Sequence, residues 1–568
     1  MYFNNKGKEE VSYDAIVIGS GISGGWAAKE LCEKGLKTLV LERGRMVKHG
    51  EYPTANLDDW ELPNRDVVSQ DEMKRDYEKQ SRTGYTIKES TKHWWIKDNE
   101  HPYTETKPFD WIRGYHVGGR SIMWGRQSYR FSDLDFEANA KEGIAVDWPV
   151  RYADLAQWYD YVETFIGVSG QNEGLPQLPD GKFLPPMEMN CIEKHVKSRI
   201  EATFKERKMI IGRTAHLTQP MGNRGTCLSR NRCIRGCPYG AYFSSLSSTL
   251  PAAEATNNLT IRPFSIVTEI VYDKETQKAS SVRIKDAETG ETHEYFAKII
   301  FCNASTLGTT QILLNSTSER FPNGLGNDSG ELGHNVMDHH FRLGASGTSE
   351  LFQDEYYKGR RPNGIYIPRF QNISPTTKRA NYLRGFGYQG GGGREQWWRE
   401  IKEADFGASF KDQMALPGDW SFGLMAFGEC LPYHENKVTL NTEVKDKFGL
   451  PTLTMDVEWK QNEMEMRKEM MSAAAEMLEA AGLKNVNTYD YGCNPGLGIH
   501  EMGTARMGKD PNTSVLNKWN QIHAVSNVFV TDGSFMTSAA CVNPSLTYMA
   551  FTARAANYAV EQLKNNNL

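Results

Sequence analysis

The stretch from residue 12 to residue 42 constrains the fold of this chain more than any other part of its sequence. The apolar run YDAIVIG predicts a strand, the glycine-rich turn GSGISGG follows it, WAAKELCEKG has helical spacing, and KTLVLE predicts a second strand. A strand, a tight glycine turn and a helix in this order are typical of a βαβ unit that binds a dinucleotide. We therefore predict an α/β fold with a Rossmann-like nucleotide-binding domain.

The turn contains the pattern G-x-G-x-x-G at Gly19, Gly21 and Gly24. Gly19 permits the tight turn, Gly21 lets the backbone approach a pyrophosphate, and Gly24 lets the helix pack closely on the strand. Glu42 ends the second strand and can accept a hydrogen bond from a ribose 2′-hydroxyl, which disfavours NADP. Ser23 and Arg43, which lie next to Gly24 and Glu42, are also predicted to contact the cofactor. The same pattern serves NAD and FAD, so the motif alone leaves both open.

Length and charge limit the possible partners. A chain of 568 residues is too long for a single core and predicts two or three domains. The net charge is −5, from 66 basic and 71 acidic residues, and no segment concentrates either sign, so neither nucleic acid nor an anionic membrane is an expected partner. No apolar run approaches the ~20 residues that span a bilayer. The N-terminus MYFNNKGKEEVSYD shows neither an apolar signal core nor a twin arginine, which predicts a cytoplasmic location.

The elements predicted beyond the first unit are of two kinds. Strand-like runs at 297–302 and 526–531, the helix-like TTQILLNS and a helix over the last 25 or so residues extend the nucleotide-binding domain. Short alternating strands such as GIYIPRF and KVTLNTEV, with an amphipathic helix near 462–481, predict an antiparallel substrate domain. The run GYQGGGGREQWW (387–398) lacks a preceding strand and a following Lys-Ser/Thr, so we interpret it as a mobile surface loop rather than a phosphate loop.

The two predicted domains are interleaved along the chain. The nucleotide-binding domain is assigned to residues 1–50, 111–150, 225–320 and 490–568. The substrate domain and its insertions are assigned to residues 51–110, 151–224 and 321–489.

Four short motifs, taken in order, carry a family resemblance. They are Gly118-Gly119-Arg120-Ser121, the run HEMGTARMG at 500–508, Asp532-Gly533-Ser534 and Asn543-Pro544-Ser545. Together with the first glycine motif, they resemble the GMC (glucose–methanol–choline) oxidoreductases over essentially the whole chain. The resemblance implies FAD rather than NAD as the cofactor. It also implies the p-hydroxybenzoate-hydroxylase-like fold, with an interleaved antiparallel-sheet substrate domain.

The resemblance also assigns cofactor contacts. Val267, in PFSIVTEIVYD, matches the position whose backbone holds adenine, and Asp532 and Gly533 match residues near the flavin phosphates and ribityl chain. The further contacts implied by the motifs are Gly118, Gly119, Ser121, Asn543 and Pro544. The segment Asn303-Ala304-Ser305-Thr306 departs from the family's Ala-Ala-Gly-Ala but keeps small residues. Met123 stands where the related pyranose 2-oxidases have a histidine bonded to FAD, so the flavin is expected to be non-covalent.

The catalytic residues follow from the same resemblance. A flavin alcohol dehydrogenase needs a base for the hydroxyl proton and a group that positions the substrate oxygen. His500 matches the family's catalytic histidine, and Asn543 matches the partner that is His or Asn in other members. An unperturbed histidine titrates near ~6.5, so it can act as a base at neutral pH. Without the motif, His500 would be one of 13 histidines with no assigned role.

Three of the nine cysteines, Cys227, Cys233 and Cys237, lie in the basic loop CLSRNRCIRGCPYG. Their spacing is not the C-x2–4-C of zinc sites, whereas thiolate clusters followed by Cys-Pro recur in iron–sulfur proteins. The trio resembles that of an iron–sulfur-containing subgroup of the same family, which implies a [3Fe-4S] cluster. The arginines expected to stabilise this anionic cluster are Arg230, Arg232 and Arg235. The alternative is a loop with three reduced thiols. The cysteines expected to be buried small hydrophobes are Cys32, Cys191, Cys302, Cys430, Cys493 and Cys541.

The implied activity is that of an FAD-dependent sugar dehydrogenase. Within the subgroup the chain is most similar to the catalytic subunit of glucoside 3-dehydrogenases, so we expect a secondary hydroxyl of a glucose unit, at C3, to be oxidised to a ketone. Electrons would leave through the cluster to a cytochrome c-type acceptor, which implies a dehydrogenase rather than an oxidase. A small partner subunit that carries an export signal would place the protein in the periplasm. The alternatives are a gluconate 2-dehydrogenase or glucose C1 dehydrogenase subunit and, in a different class, a non-catalytic electron-transfer flavoprotein.

Overall fold

A computed structural model of the chain describes residues 12–357, 362, 364–394 and 406–568. Its helices are α1 (Ile22–Glu33), α2 (Gln70–Asp76), α3 (Asp133–Phe136), α4 (Ala138–Glu142), α5 (Tyr152–Ile166), α6 (Cys191–Thr203), α7 (Thr249–Glu254), α8 (Thr306–Asn315), α9 (Ala408–Ala415), α10 (Gln461–Ala480) and α11 (Ser545–Lys564). Within these described ranges, no helix combines the length and apolar character needed to cross a membrane.

The strands belong to three sheets. They are β1 (Ser12–Ile18), β2 (Thr38–Leu41), β3 (Thr104–Glu105), β4 (Ile210–Ile211), β5 (Leu259–Arg262), β6 (Ser265–Asp273), β7 (Lys278–Asp286), β8 (Thr292–Cys302), β9 (His339–His340), β10 (Leu343–Ser349), β11 (Ile365–Ile367), β12 (Phe386–Arg394), β13 (Trp420–Glu429), β14 (Lys437–Lys445), β15 (Pro451–Asp456), β16 (Lys484–Asp490), β17 (Gln521–Ile522) and β18 (Val525–Val530).

The first sheet has the strand order β17-β18-β8-β1-β2-β5, with β7 paired to β8 and β6 paired to β7. The pairs β1–β2, β1–β8, β2–β5 and β18–β8 are parallel. Both faces of β1 are covered, because Ile16 and Ile18 pack into one core and Ala15 and Val17 into another. The predicted Rossmann-like part of the fold is confirmed.

The parallel pairing brings four loops to one edge of this sheet. Gly19 follows β1, Glu42 follows β2, Asn303 follows β8 and Asp532 lies just beyond β18. The carboxyl ends of parallel strands meet at the same edge, and in open α/β sheets this edge is where ligands bind. Residues as far apart in the chain as Gly19 and Asp532 therefore lie at the same edge.

The second sheet has the order β16-β10-β13-β12-β11-β4, with β9 paired to β13, and every pairing in it is antiparallel. Helix α10 packs on β10, β13 and β16. This sheet confirms the predicted antiparallel substrate domain. The strand KVTLNTEV forms β14 in a separate three-stranded sheet, β14-β15-β3. The domain boundaries drawn from the sequence stay a prediction.

The interpretation of 387–398 as a mobile surface loop is wrong for the part that the structure describes. Residues 386–394 form β12, which pairs with β11 on one side and β13 on the other, while residues 395–398 lie outside the described ranges. The glycines serve close packing, since a Cβ added at Gly392 would lie 2.2 Å from the side chain of Ile192 on α6. Four consecutive glycines also erase the side-chain alternation by which a strand is recognised.

A buried ionic network ties the second sheet to the α3–α4 region. Arg384 has no exposed surface, and its guanidinium donates to Glu142 (2.6 Å) and Asn139 (2.6 Å) of α4 and to Glu429 (3.1 Å) at the end of β13. Burial raises the pKa of Glu429 to about 7, against the opposing charge of Arg384. The network holds β12 and β13, which reach the candidate site described below.

Removing one member of this network tests its contribution to stability. Arg384→Met should lower the free energy of unfolding by about 3–5 kcal/mol, because Glu429 is left as an uncompensated buried charge. Urea denaturation measures the effect. The double variant Arg384→Met/Glu429→Leu should recover most of the loss, because it removes both fully buried charges and leaves only the partly exposed Glu142 without its partner. A double variant that is no more stable than the single one would contradict this account.

Candidate functional site

A cavity of about 790 Å³ is lined by the loops at the carboxyl ends of the parallel strands and by residues of the second sheet. Its volume lies within the ~300–1,000 Å³ usual for ligand pockets. The predicted cofactor contacts that line it are Gly19, Gly21, Ser23, Glu42, Arg43, Gly119, Ser121, Val267, Asp532, Gly533 and Asn543. The predicted contacts that do not line it are Gly24, Gly118 and Pro544.

The glycine turn after β1 leaves space for an anion. A Cβ added at Gly21 would meet no atom within 4 Å, whereas one added at Gly24 would lie 2.0 Å from the carbonyl oxygen of Gly19. Helix α1 begins at Ile22, so the positive end of its dipole points into the open space above Gly21. Gly119 closes the other side, because its Cβ position is 3.3 Å from Cα of Gly21. This arrangement fits a pyrophosphate.

Glu42 is fixed at the floor of the cavity by backbone and hydroxyl donors. Its carboxylate accepts hydrogen bonds from the N–H (3.1 Å) and the hydroxyl (2.5 Å) of Ser20 and from the N–H of Gly44 (3.0 Å). Burial raises the pKa of Glu42, and these hydrogen bonds oppose the shift. A carboxylate offers about four acceptor sites, so one remains for a ribose hydroxyl.

The remaining predicted contacts either border the cavity or support its walls. The Asp532 carboxylate accepts from Thr309 Oγ1 (2.5 Å) and Ser534 Oγ (2.6 Å), which holds it at the end of β18. Gly118 donates its N–H to Ser20 Oγ (2.9 Å), and Pro544 precedes α11, so both support the turn or helix next to the cavity. The open glycine turn, the acidic floor and the size of the cavity fit a dinucleotide such as FAD.

The structure brings the predicted catalytic pair together at the cavity wall. Asn543 Nδ2 lies 3.3 Å from His500 Nε2, although the residues are 43 positions apart in the chain. Both side chains are partly exposed to the cavity. An imidazole nitrogen and an amide N–H that point at one spot can accept a proton from a hydroxyl and hold its oxygen.

Two residues that contact this pair were not predicted. Gln389 on β12 donates from Nε2 to Asn543 Oδ1 (2.7 Å), and His339 on β9 has its Nδ1 2.9 Å from His500 Nδ1. Gln389 lies inside the glycine run that was interpreted as a loop. His339 belongs to no motif, and only its place in the second sheet brings it to the site.

Charged groups behind His500 hold its backbone. The Asp338 carboxylate accepts from the N–H groups of Gly498 (2.9 Å) and His500 (3.1 Å), and burial together with the Glu501 charge raises the pKa of Asp338 to about 7. Arg120 binds both carboxylate oxygens of Glu501, at 3.1 and 2.9 Å. Burial lowers the pKa of His500 well below its ordinary value, with smaller contributions from His339 and Arg120.

Part of the cavity wall is aromatic. Phe341 and Phe427 stack with ring centroids 5.0 Å apart and planes 12° from parallel, and both line the cavity. Tyr85, Lys88 and Gln389 also line it. The cavity wall therefore combines flat apolar rings with polar and charged groups.

The cysteine loop borders the same cavity. Cys227 and Cys233 line it, Cys237 does not, and all nine cysteines of the chain are free. Burial raises the pKa of Cys227, and the neighbouring Cys233 and Cys237 thiols add to the shift. In the part of the chain that the structure describes, no group of three or more His, Cys, Asp or Glu side chains is arranged as ligands around one metal ion. The predicted cluster is therefore not evident from these positions.

The guanidinium groups of the three loop arginines bind residues 55–59, and their role beside a cluster stays a prediction. Arg230 donates to the Ala55 carbonyl (2.6 Å), Arg232 binds Asp58, and Arg235 binds Asp59 (2.6 Å).

Two other arginines and a histidine lie near the thiols. Charge interactions link Arg126 to Cys227 and Arg224 to Cys237, and His216 Nε2 is 3.8 Å from Cys233 Sγ. Buried guanidinium nitrogens of Arg126 (Nε, Nη1) and Arg224 (Nη2) have no hydrogen-bond partner among the described residues.

Comparison with known families gives two matches along the chain. Residues 13–341 match the N-terminal model and residues 432–552 the C-terminal model of a family described as GMC oxidoreductase.

Curated relatives match over almost the whole length. A 2-methyl-1,2-propanediol dehydrogenase of Mycolicibacterium austroafricanum is 29% identical over 96% of this chain and 94% of its own length. The large subunit of a fructose dehydrogenase of Gluconobacter japonicus is 24% identical over 98% and 99%. A gluconate 2-dehydrogenase flavoprotein of Pantoea cypripedii is 22% identical over 97% and 94%.

The space above Gly21 can be tested by filling it. Gly21→Val should weaken FAD binding by at least about tenfold, because the new side chain would occupy the space left for the pyrophosphate. The ratio of flavin absorbance to protein after gel filtration measures this loss. Gly393→Val is the matched control, because its Cβ also meets nothing within 4 Å but lies outside the cavity lining. A Gly21→Val protein with full flavin content would contradict the assignment.

Proposed function

The chain belongs to the GMC oxidoreductase family, whose members bind FAD and act on sugar and alcohol CH–OH groups, and from this premise we propose that it is an FAD-dependent sugar dehydrogenase. The observation that supports the proposal most is the convergence of His500 Nε2 and Asn543 Nδ2, 3.3 Å apart, on a cavity that also holds the dinucleotide-binding turn. The alternative, a non-catalytic electron-transfer flavoprotein, gives no role to this pair.

The reaction assigns a separate task to each side chain. FAD, when bound, supplies the acceptor for the hydride that leaves the substrate carbon. His500 accepts the hydroxyl proton on Nε2, and Asn543 donates a hydrogen bond from Nδ2 to the same oxygen. The 3.3 Å contact between the two side chains is long, so a hydroxyl oxygen can replace it at little cost. The O–H bond breaks, a C=O bond forms, and the product is a carbonyl compound.

Non-covalent attachment of the flavin is part of the proposal. Met123 lines the cavity at the position where pyranose 2-oxidases carry their flavin-bonded histidine. A thioether cannot form that histidyl bond. The predicted contacts around the glycine turn would then hold FAD by hydrogen bonding and packing alone.

The substrate class is proposed from the cavity wall and the relatives. The stacked pair Phe341–Phe427 offers a flat apolar surface for the C–H face of a sugar ring, and Gln389 offers polar atoms for its hydroxyls. Two of the relatives carry sugar or sugar-acid substrates in their names, and a third carries a small diol. We retain oxidation of a secondary hydroxyl, at C3 of a glucoside, as the specific proposal, with gluconate 2-oxidation or glucose C1 oxidation as the alternatives.

Product analysis tests the substrate. The purified enzyme is incubated anaerobically with an artificial electron acceptor and, separately, methyl α-glucoside, glucose, gluconate and 2-methyl-1,2-propanediol. A 3-keto glucoside identified by NMR supports the specific proposal, and a 2-ketogluconate or a lactone supports one of the alternatives. Failure of all four compounds to bleach the flavin would refute the sugar or diol dehydrogenase.

Substitution of the catalytic pair should slow the reductive half-reaction. His500→Ala should retain FAD and reduce it roughly 10²–10⁴-fold more slowly, the usual contribution of a general base. Asn543→Ala should also slow reduction, through lost positioning of the oxygen. Anaerobic stopped-flow absorbance measures both rates. The matched control is His523→Ala, since His523 is a half-buried histidine bonded to Ser514 outside the cavity lining. A near-normal rate for His500→Ala would remove it from the mechanism.

The pH dependence of flavin reduction reports the protonation state of His500. Burial lowers the pKa of His500 well below its ordinary value of 6.5, and only the unprotonated ring accepts a proton. His500 therefore stays unprotonated, and able to act as the base, at pH values below 6.5. Activity is lost only as the pH falls through the lowered pKa. We expect the rate to change less than about twofold between about pH 8 and about pH 6. A rate that already falls by half near pH 6.5 contradicts the shift.

A [3Fe-4S] cluster on Cys227, Cys233 and Cys237 is proposed as a second component. The supporting observation is the pair of buried guanidinium groups, Arg126 and Arg224, that lie near the thiols with nitrogens lacking a hydrogen-bond partner in the described structure. An anionic cluster held by three thiolates would provide the missing acceptors and negative charge. Such a cluster supplies one-electron transfer, which suits a cytochrome c-type acceptor. The partners proposed are this acceptor and a small subunit, and co-export with that subunit would give a periplasmic location.

The cluster has a direct chemical test. Protein purified anaerobically should contain about three iron atoms per chain and show an EPR signal when oxidised. Cys233→Ser should remove the iron, leave flavin reduction by substrate intact and abolish turnover with a cytochrome. Cys191→Ser is the matched control, because that half-buried cysteine lies on α6 outside the cavity lining. Wild-type protein without iron would show that the three thiols are structural.

A further inference from the structure

A line of hydrogen bonds runs through the catalytic pair and continues behind it. Gln389 Nε2 is 2.7 Å from Asn543 Oδ1, and Asn543 Nδ2 is 3.3 Å from His500 Nε2. On the far side of the ring, His500 Nδ1 is 2.9 Å from His339 Nδ1, and His339 Nε2 is 2.7 Å from the carbonyl oxygen of Ala540. The line ends on a backbone acceptor, which fixes the position of the protons along it.

The proton positions follow from that acceptor. A carbonyl oxygen only accepts, so His339 must carry its proton on Nε2. Burial lowers the pKa of His339 to about 4, which keeps the ring neutral and leaves its Nδ1 without a proton. Only a proton on His500 Nδ1 can then join the two rings. Because the neutral ring of His500 holds a single proton, its Nε2 is a bare lone pair on the cavity side.

We propose that His339 is a positioning residue that holds the proton of His500 on Nδ1 and thereby leaves Nε2 free to accept the substrate's hydroxyl proton. The inference rests on the proposed function, since it assigns the active tautomer to the base of that reaction. When the substrate O–H bond breaks, the proton binds Nε2, and the Nδ1–H of the resulting imidazolium stays hydrogen-bonded to His339. In the other tautomer Nε2 would carry a proton and could not act as the base.

The other titratable groups near His500 and His339 have partners other than the Nδ1 of His500. Asp338 binds the backbone N–H of His500 rather than its ring, at 3.1 Å. Arg120 contributes positive charge but its guanidinium is paired with Glu501. On the second sheet, the ring of His340 lies against Trp459, with 5.6 Å between the ring centroids and planes tilted by 58°. The imidazole of His339, itself buried on β9, is the acceptor that the described structure shows at His500 Nδ1.

Two variants separate this role from simple packing. His339→Asn places a carboxamide oxygen near the former Nδ1 and can still accept from His500, whereas His339→Leu fills similar space without an acceptor. The Leu variant should reduce its flavin about 10²–10⁴-fold more slowly, comparable to the loss when an orienting acceptor is removed from a catalytic histidine. The Asn variant should recover at least about tenfold of that loss. The substrate dissociation constant should change far less than the rate in both.

The probe in this experiment is whichever of methyl α-glucoside, glucose, gluconate and 2-methyl-1,2-propanediol reduces the wild-type holoenzyme fastest. A Leu variant that keeps FAD and is reduced as fast as wild type would overturn the proposal. An Asn variant as slow as the Leu variant would also overturn it.

A third variant adds a charge to the same acceptor. His339→Asp can still accept from His500 Nδ1, but its carboxylate favours the imidazolium and raises the pKa of His500. The acid limb of the rate–pH profile should therefore move to higher pH, while the rate at high pH stays well above that of the Leu variant. A side chain that only fills space would not shift the acid limb while it preserves the rate at high pH. An unmoved acid limb would therefore count against the proposal.

The tautomer can also be observed without turnover. In holoenzyme labelled with ¹⁵N at its 13 histidines, the Nε2 of His500 should resonate as an unprotonated nitrogen and its Nδ1 as a protonated one. A His500→Gln sample identifies the two signals. The reverse assignment overturns the proposal even if every His339 variant fails to fold. If no probe reduces the wild-type flavin, the proposed function fails, and the ¹⁵N spectrum still decides the tautomer.

Discussion

The close approach of three backbones at the end of β1 is the constraint on which the site depends. A Cβ at Gly19 would lie 2.4 Å from the Asn303 carbonyl oxygen, and one at Gly24 would lie 2.0 Å from the carbonyl oxygen of Gly19. Only glycine permits the turn, α1 and the end of β8 to pack at this distance. Because the turn is so tight, α1 points its N-terminus at open space, and the other strand ends surround that space with Glu42 and Asp532.

The second sheet supplies the side chains that contact His500 and Asn543. The first sheet and the loops that follow it supply the cavity floor together with His500 and Asn543, but neither side chain is oriented by that region alone. Gln389 on β12 holds the amide of Asn543, and His339 on β9 contacts the ring of His500. Both strands pair with β13, whose last residue, Glu429, belongs to the ionic network of Arg384. The buried pair of Arg384 and Glu429 thus supports the strands that contact the predicted catalytic side chains, and Glu429 itself lies opposite His339 in the pairing of β13 with β9.

The sequence was informative where the physical requirement is local. The glycine turn, the strand before it and Glu42 could be predicted, because a tight turn and a dinucleotide impose a fixed spacing on neighbouring residues. Gln389 was missed because four glycines hid β12, and His339 because its role exists only after β9 pairs with β13. The partners of Arg230, Arg232 and Arg235 could not be predicted for the same reason. Their partners at residues 55–59 lie some 175 positions earlier, and nothing in the loop itself indicates that pairing.

The division of the predicted catalytic site between two sheets has a consequence for how the enzyme matures. Gln389 and Asn543 are 154 positions apart in the chain, and His339 and His500 are 161 apart, so the contacts that complete the site need long-range strand pairing, which is slow to form. Until these contacts form, His500 lacks the hydrogen bond to His339, and Asn543 lacks the one from Gln389. A partly folded chain that has already captured its flavin would therefore be a poor oxidant of bystander alcohols. Alcohol oxidation would then depend on the pairing of β9 and β12 with β13, which places His339 and Gln389 at the site.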